Sequence, residues 1–162
     1  MKNILKTLID YSLFEKYDKD YFINNKILPL FENDISIKMA VCKNSKLETI
    51  KNDFNKVISF LEIDELELLF MISHIDQKTL LYSMALKAIS QNSFEKYVDK
   101  FLQELLSFSI NLRASDIHIE QYKDVILFKF RIDGRLKTFF AFCSEFFKLI
   151  SSYIKLISSL DM

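Results

Sequence analysis

At 162 residues, with 22 basic and 22 acidic side chains, half its residues apolar and 16 of them phenylalanine, the chain can build one domain or two small ones and is too apolar for intrinsic disorder. A formal net charge of zero argues against a dedicated nucleic-acid binder, so no direct nucleic-acid partner is expected. The single glycine, Gly134, excludes the glycine-rich phosphate loops, which need more than one.

The elements follow in chain order. Ile4, Leu5, Leu8, Ile9 and Leu13 recur at helical spacing, which predicts an amphipathic helix over 3–17. No unbroken apolar run of about 7–15 residues follows Met1, so no secretory leader is expected. Tyr21-Phe22-Ile23 and Ile27-Leu28-Pro29-Leu30-Phe31 read as strand, with Pro29 confining it to an edge or an end. Glu32-Asn33-Asp34 is a turn signal. Ile35, Ile37, Met39 and Val41 then alternate with Ser36, Lys38 and Ala40, completing a hairpin. A short helix is expected over 46–55 and a strand over 57–61. Asp64, with Glu67 three residues on, opens a helix running to about His74 as a capping box. Asp76 is expected to cap the next, which ends near Gln91-Asn92-Ser93. Ser93 then caps a helix with Val98, Phe101, Leu102 and Leu105 on one face.

From residue 115 the period switches to two. Asp116, His118 and Glu120 alternate with Ile117 and Ile119 and so share one strand face. Ile126, Phe128, Phe130 and Ile132 fall on one side of the next strand; Leu127, Lys129 and Arg131 fall on the other. Asp133-Gly134 between two strand-like runs predicts a type I′ hairpin, whose positive φ angles glycine tolerates. A return strand over 135–141 and a helix over 144–160 complete the pattern. The Phe139–Phe142 run and Phe146-Phe147 read as core, against the sharper alternative of an exposed partner surface. Cys42 and Cys143 lie among apolar residues, far from zinc-finger spacing, and read as small buried hydrophobes. His74 reads as a helix-end histidine beside the helix dipole. No stretch approaches the roughly 20 apolar residues that span a bilayer. The last helix carries no Gly, Asn or Pro stop signal, so the polypeptide is expected to continue beyond Met162.

The fold class this predicts is α+β: two small α+β domains joined by a helical segment, the second with an antiparallel sheet. The divisions fall at 1–75, 76–98 and 99–162.

Three of the 22 basic residues are arginines, and all lie between residues 113 and 135. A guanidinium is a planar donor fork suited to phosphate, whereas surface charge alone is the plainer reading. Asp116, His118 and Glu120 are donor types for a metal, but a triad on one strand lacks the convergence usual for zinc; no metal is expected. An interdomain polar network or a solvated face are the other readings.

Ala114-Ser115-Asp116-Ile117-His118-Ile119-Glu120 followed by Phe130-Arg131-Ile132-Asp133-Gly134 resembles the paired signature of the secretion ATPase superfamily. Its members include type II secretion ATPases, type IV pilus assembly and retraction ATPases and those of DNA uptake (competence) systems. The resemblance is strong over 99–162 and loose over 20–75, where the sequence is similar to the docking domain of assembly-type members. It implies a docking domain, then a PAS-like domain, then a RecA-like motor that carries Walker A and lies outside this sequence. It further implies that Arg131 approaches the nucleotide phosphates when the second domain closes on the motor. Asp116, His118 and Glu120 would then form a domain-interface polar network, and Asp133 and Gly134 the turn. No catalytic residue is expected in this chain. ATP and Mg²⁺ are the expected cofactors of a full-length homo-hexamer. Its partners would be its own motor and the cytoplasmic domain of an inner-membrane platform protein, at the cytoplasmic face of that membrane. Arg131, away from its phosphate, is expected to be mobile or weakly paired. The competing reading is a self-standing PAS-like module that binds a ligand or a metal.

Overall fold

The computed structural model describes residues 7–47, 54–91 and 94–159. Two compact units divide the chain, the first ending at Thr79 and the second beginning at Leu80. The α+β class predicted from the sequence is what the chain forms, each unit carrying one three-stranded sheet.

In the first unit, α1 (Leu13–Lys16) and α2 (Lys19–Asn25) precede β1 (Ile27–Glu32), β2 (Ser36–Val41) and β3 (Val57–Glu62). Two expectations fail here. Among the described residues the first helix shrinks to a single turn, and residues 8–10 form no regular element, with the Asp10 amide donating to the Leu30 carbonyl at 2.9 Å. Tyr21-Phe22-Ile23 is helix rather than strand. Asp18 caps it by accepting from the Asp20 amide at 2.9 Å, and Lys26 ends it in the left-handed region with φ 54°. The helix carries the fully buried Phe22 against Phe14, Tyr17, Tyr21 and Phe54.

β1 and β2 pair antiparallel as the expected hairpin, and Pro29 lies on the edge strand β1. β3 pairs parallel to β2, from Ser36 opposite Val57 to Val41 opposite Glu62. A parallel neighbour needs a crossover connection; the helix expected over 46–55 falls largely outside the described residues. α3 (Glu65–Ile72) is capped as predicted, Asp64 accepting from the amides of Leu66 and Glu67 at 3.0 and 3.2 Å.

α4 (Ile75–Ser90) begins one residue before Asp76, so Asp76 sits in its first turn instead of capping it, and its carboxylate pairs with Lys19. His74 is exposed with φ 57°. The cation at the negative end of α3 is Lys78, fully buried, donating to the carbonyls of Phe70, Met71 and Ser73 at 2.8 Å each.

The second unit continues with α5 (Phe94–Asn111), whose expected cap Ser93 lies outside the described residues. Then come β4 (Ile117–Gln121), β5 (Val125–Ile132), β6 (Arg135–Cys143) and α6 (Phe146–Ile157). The sheet is antiparallel in the order β4-β5-β6. Phe128 faces Phe140 while Lys129 faces Thr138, so Phe139 is the extra residue of a bulge. The bulge breaks strict alternation, and both Phe139 and Phe140 are fully buried. Phe139 stacks on Phe130 at 4.4 Å and on Phe108 of α5 at 5.0 Å. Phe140 meets Phe101, which also packs on Phe128 and Phe146. The Phe139–Phe142 run and Phe146 are thus core, each buried ring contributing about 1.5–3 kcal/mol, whereas Phe147 is only half-buried. Cys42 is buried as expected, whereas Cys143 is half-buried. No described helix is long and apolar enough to cross a membrane.

Candidate functional site

Two chain features build the site. α5 ends with Arg113 in the left-handed region (φ 54°), its amide bonded to the Ile110 carbonyl, and this turns the chain toward the sheet. Ser115 and Asp116 then join the edge of β5 through main-chain bonds: Ser115 N–H to the Arg131 carbonyl at 2.9 Å, Arg131 N–H to the Asp116 carbonyl at 3.1 Å. Asp116 therefore lies across from Arg131, while His118 faces Lys129 and Glu120 faces Leu127. Directly opposed residues share a face. Asp116, His118, Glu120, Lys129 and Arg131 consequently stand together on the side away from Phe128 and Phe130.

The polar face resolves into two linked groups. Arg131 Nε donates to Asp116 Oδ2 at 3.0 Å and approaches Oδ1 at 3.3 Å. Its Nη2 lies 3.2 Å from His118 Nε2, and that same ring nitrogen is in close contact with Asp116 Oδ1. Ser115 Oγ donates to Asp116 Oδ2 at 2.7 Å. The bond from Ser115 leads, with those from His118 and the Arg131 charge behind it, in holding the Asp116 carboxyl below its ordinary range, against desolvation. Further along β4, Glu120 Oε2 accepts from Lys129 Nζ at 2.6 Å and from Tyr122 Oη at 2.8 Å. The Lys129 bond chiefly holds the Glu120 carboxyl down, and Glu120 in turn raises the Tyr122 phenol.

Arg131, expected to be mobile or weakly paired, is paired with both Asp116 and His118. Its side chain is 38% exposed and anchored by Asp116 and His118. Among the described residues its hydrogen bonds run from Nε and Nη2 and none from Nη1. The anchored groups form the side edge of the fork, so the end-on edge of Nη1 and the second Nη2 hydrogen is the one left for an oxyanion. The donor set thus fits a phosphate oxygen.

Asp133 (φ 50°) and Gly134 (φ 73°) form the hairpin turn beyond Arg131, both with the positive φ of type I′. Arg135 is exposed at the start of β6. Among the described residues no group of three or more His, Cys, Asp or Glu side chains is placed to hold a metal. Sequence reasoning missed Ser115, Tyr122 and the pairing of Lys129. Ser115 was legible as a hydroxyl next to Asp116; the Glu120–Lys129 diagonal required the strand register.

The second of the two small α+β units thus carries an arginine tethered by its side edge on a polar sheet face. Residues 90–162 match the family described as type II/IV secretion system protein. The matched stretch contains the residues at 114–134 on which the resemblance to secretion ATPases rests. No curated protein matches the chain.

Proposed function

We propose that this chain is the amino-terminal docking and nucleotide-closure region of a hexameric ATPase that powers type II secretion, type IV pilus assembly or DNA uptake. In this reading residues 1–75 dock on the cytoplasmic domain of an inner-membrane platform protein, holding the assembly at the cytoplasmic face. Residues 99–162, a PAS-like domain, close over ATP and Mg²⁺ held by a RecA-like motor. Arg131 contributes its end-on fork to the phosphates, and the Asp116–His118–Glu120 face lies toward the neighbouring domain.

The observation that carries this reading is the tethered, half-exposed Arg131 with its end-on edge open, inside the stretch that matches the secretion family. A guanidinium delivered to a transferring phosphoryl group stabilises its charge, and arginines that do so fully are worth about 10³–10⁵ in kcat. In the full-length protein, Arg131→Ala is expected to lower kcat at least about tenfold, which is about 1.4 kcal/mol in the barrier. Arg131→Lys should recover little, since a point charge lacks the bidentate fork. Activity of Arg131→Ala within about twofold of wild type, a barrier change of only about 0.4 kcal/mol, would overturn the nucleotide role.

A further inference from the structure

His118 Nε2 faces two groups with opposite requirements. Asp116 Oδ1, in close contact with it, requires a donor, an Nε2–H. Arg131 Nη2, 3.2 Å away, carries only hydrogens and requires an acceptor, a bare Nε2. A ring nitrogen carries either a proton or a lone pair, so one of the two contacts is satisfied at a time. Asp116 also accepts from Arg131 Nε and from Ser115 Oγ, so the carboxylate keeps partners in either state. The other charged groups along this face are Glu120, two residues on in β4, and Lys129, which faces His118 across the strands and is itself tied to Glu120.

We propose that Asp116 Oδ1 and Arg131 Nη2 are alternative partners of His118 Nε2, so that the guanidinium is loosened toward an oxyanion when His118 donates to the carboxylate. With Nε2 bare, the ring accepts from Nη2 and holds the side edge of Arg131 at two points, Nε on Asp116 and Nη2 on His118. With a proton on Nε2, taken from water, the ring binds Asp116 Oδ1 and the Nη2 contact is lost. Arg131 then keeps a single tether, Nε on Asp116. His118 is thus a positioning residue for Arg131. This rests on the reading of Arg131 as a phosphate contact, but the exchange itself is testable without it.

The test is the ring-nitrogen NMR spectrum of His118, assigned by its loss in His118→Gln, in the 162-residue chain. Arg131→Met keeps the apolar stem and removes the competing cation; it should move Nε2 toward the protonated, N–H form. Asp116→Ala keeps the main-chain bond to Arg131 and removes the carboxylate; it should move Nε2 the other way, toward the bare form. Backbone amide spectra confirm folding, and Asp116→Asn replaces Asp116→Ala if the latter does not fold. Shifts of Nε2 in the same direction in both variants, or in neither, overturn the proposal. A second arm uses the full-length protein with and without ATP. Movement of His118 Nε2 toward the N–H form with ATP supports both the exchange and the nucleotide role. If the two variants behave as stated but ATP leaves His118 unmoved, the exchange stands and the nucleotide role of Arg131 falls.

Discussion

The most strongly perturbed carboxylate lies outside the candidate site, in the first unit. Glu32, its side chain only 5% exposed, accepts from Lys16 Nζ at 2.5 Å, from Tyr17 Oη, and pairs with Lys56 Nζ at 2.9 Å. Burial alone would raise its pKa, but the bonds from Lys16, Tyr17 and Lys56 prevail and hold it at about 2 against an ordinary 4.5. The sign follows from the depressed value. Below about pH 2 both folded and unfolded chains are protonated and the network contributes nothing; above about pH 4.5 its contribution is complete; between the two it is lost as pH falls. The shift corresponds to about 3 kcal/mol at most, and Lys16 is half exposed, so screening reduces it. We expect Glu32→Gln to cost about 1–3 kcal/mol at pH 7 by urea denaturation, with the gap to wild type closing between pH 4.5 and 2. A gap that stayed constant across that window would show that lost packing, not charge, accounts for the cost.

At the scale of elements, corners and turns decide what side chains can reach. Lys78 closes the corner between α3 and α4: its ammonium donates to three carbonyls at the end of α3 and lies 5.4 Å from the centre of the Phe70 ring. Burial pushes its pKa well down, while three acceptors at the negative end of a helix favour the charged form. Lys78→Met retains most of the volume but leaves those carbonyls without their donor; a loss of at least about 2 kcal/mol is expected. Lys38→Met on the exposed face of β2 should change stability by under about 0.5 kcal/mol. Equal effects of the two would remove the corner role. The Asp133-Gly134 turn gives a finer test. A Cβ at Gly134 would meet nothing within 4 Å, so Gly134→Ala isolates the backbone term of φ 73°. A cost of about 1 kcal/mol in the denaturation midpoint is expected, and no cost would mean that the turn relaxes. These elements also show what a sequence yields and what it withholds. The Asp133-Gly134 hairpin and the Asp64 cap were legible because one or two residues determine them locally. The helix at Lys19–Asn25 was not, because Tyr21-Phe22-Ile23 has strand propensity and only the Asp18 cap and packing of Phe22 override it. The parallel pairing of β3 with β2 and the bulge at Phe139 depend on partners distant in sequence. The same holds for the candidate site: alternation placed Asp116, His118 and Glu120 on one face, but the anchoring of Arg131 to Asp116 follows from the β4–β5 register alone.

On the scale of the whole molecule, each unit has a separate aromatic core. Phe14, Tyr17, Phe22 and Phe54 cluster in the first; Phe101, Phe128, Phe140 and Phe146 cluster in the second. Even α4 divides this way: Ile75 and Lys78 are buried in its first turns, within the first unit, while the buried Leu81, Ala85 and Ala88 belong to the second. Two cores with separate rings predict two cooperative openings, because each unit can lose its packing without removing the partners that fill the other. Phe101→Ala deletes the ring shared by Phe128, Phe140 and Phe146, and a cavity of that kind costs about 3–5 kcal/mol. Native-state hydrogen exchange should then accelerate for amides in Val98–Leu105, Val125–Phe130 and Phe139–Phe142, while those in Ile27–Leu30 and Ile37–Val41 keep their wild-type rates. Glu32→Gln should produce the converse pattern, with faster exchange in β1 and β2 and no change in β5. The helix that crosses the boundary is the element that could link the two openings, so its amides provide the deciding comparison. If either variant accelerates exchange in both sheets by the same factor, the chain opens as one cooperative body and the division at Thr79 and Leu80 has no energetic meaning. If the two patterns separate, the first unit can be destabilised by acid through Glu32 while the sheet that holds Arg131 stays closed.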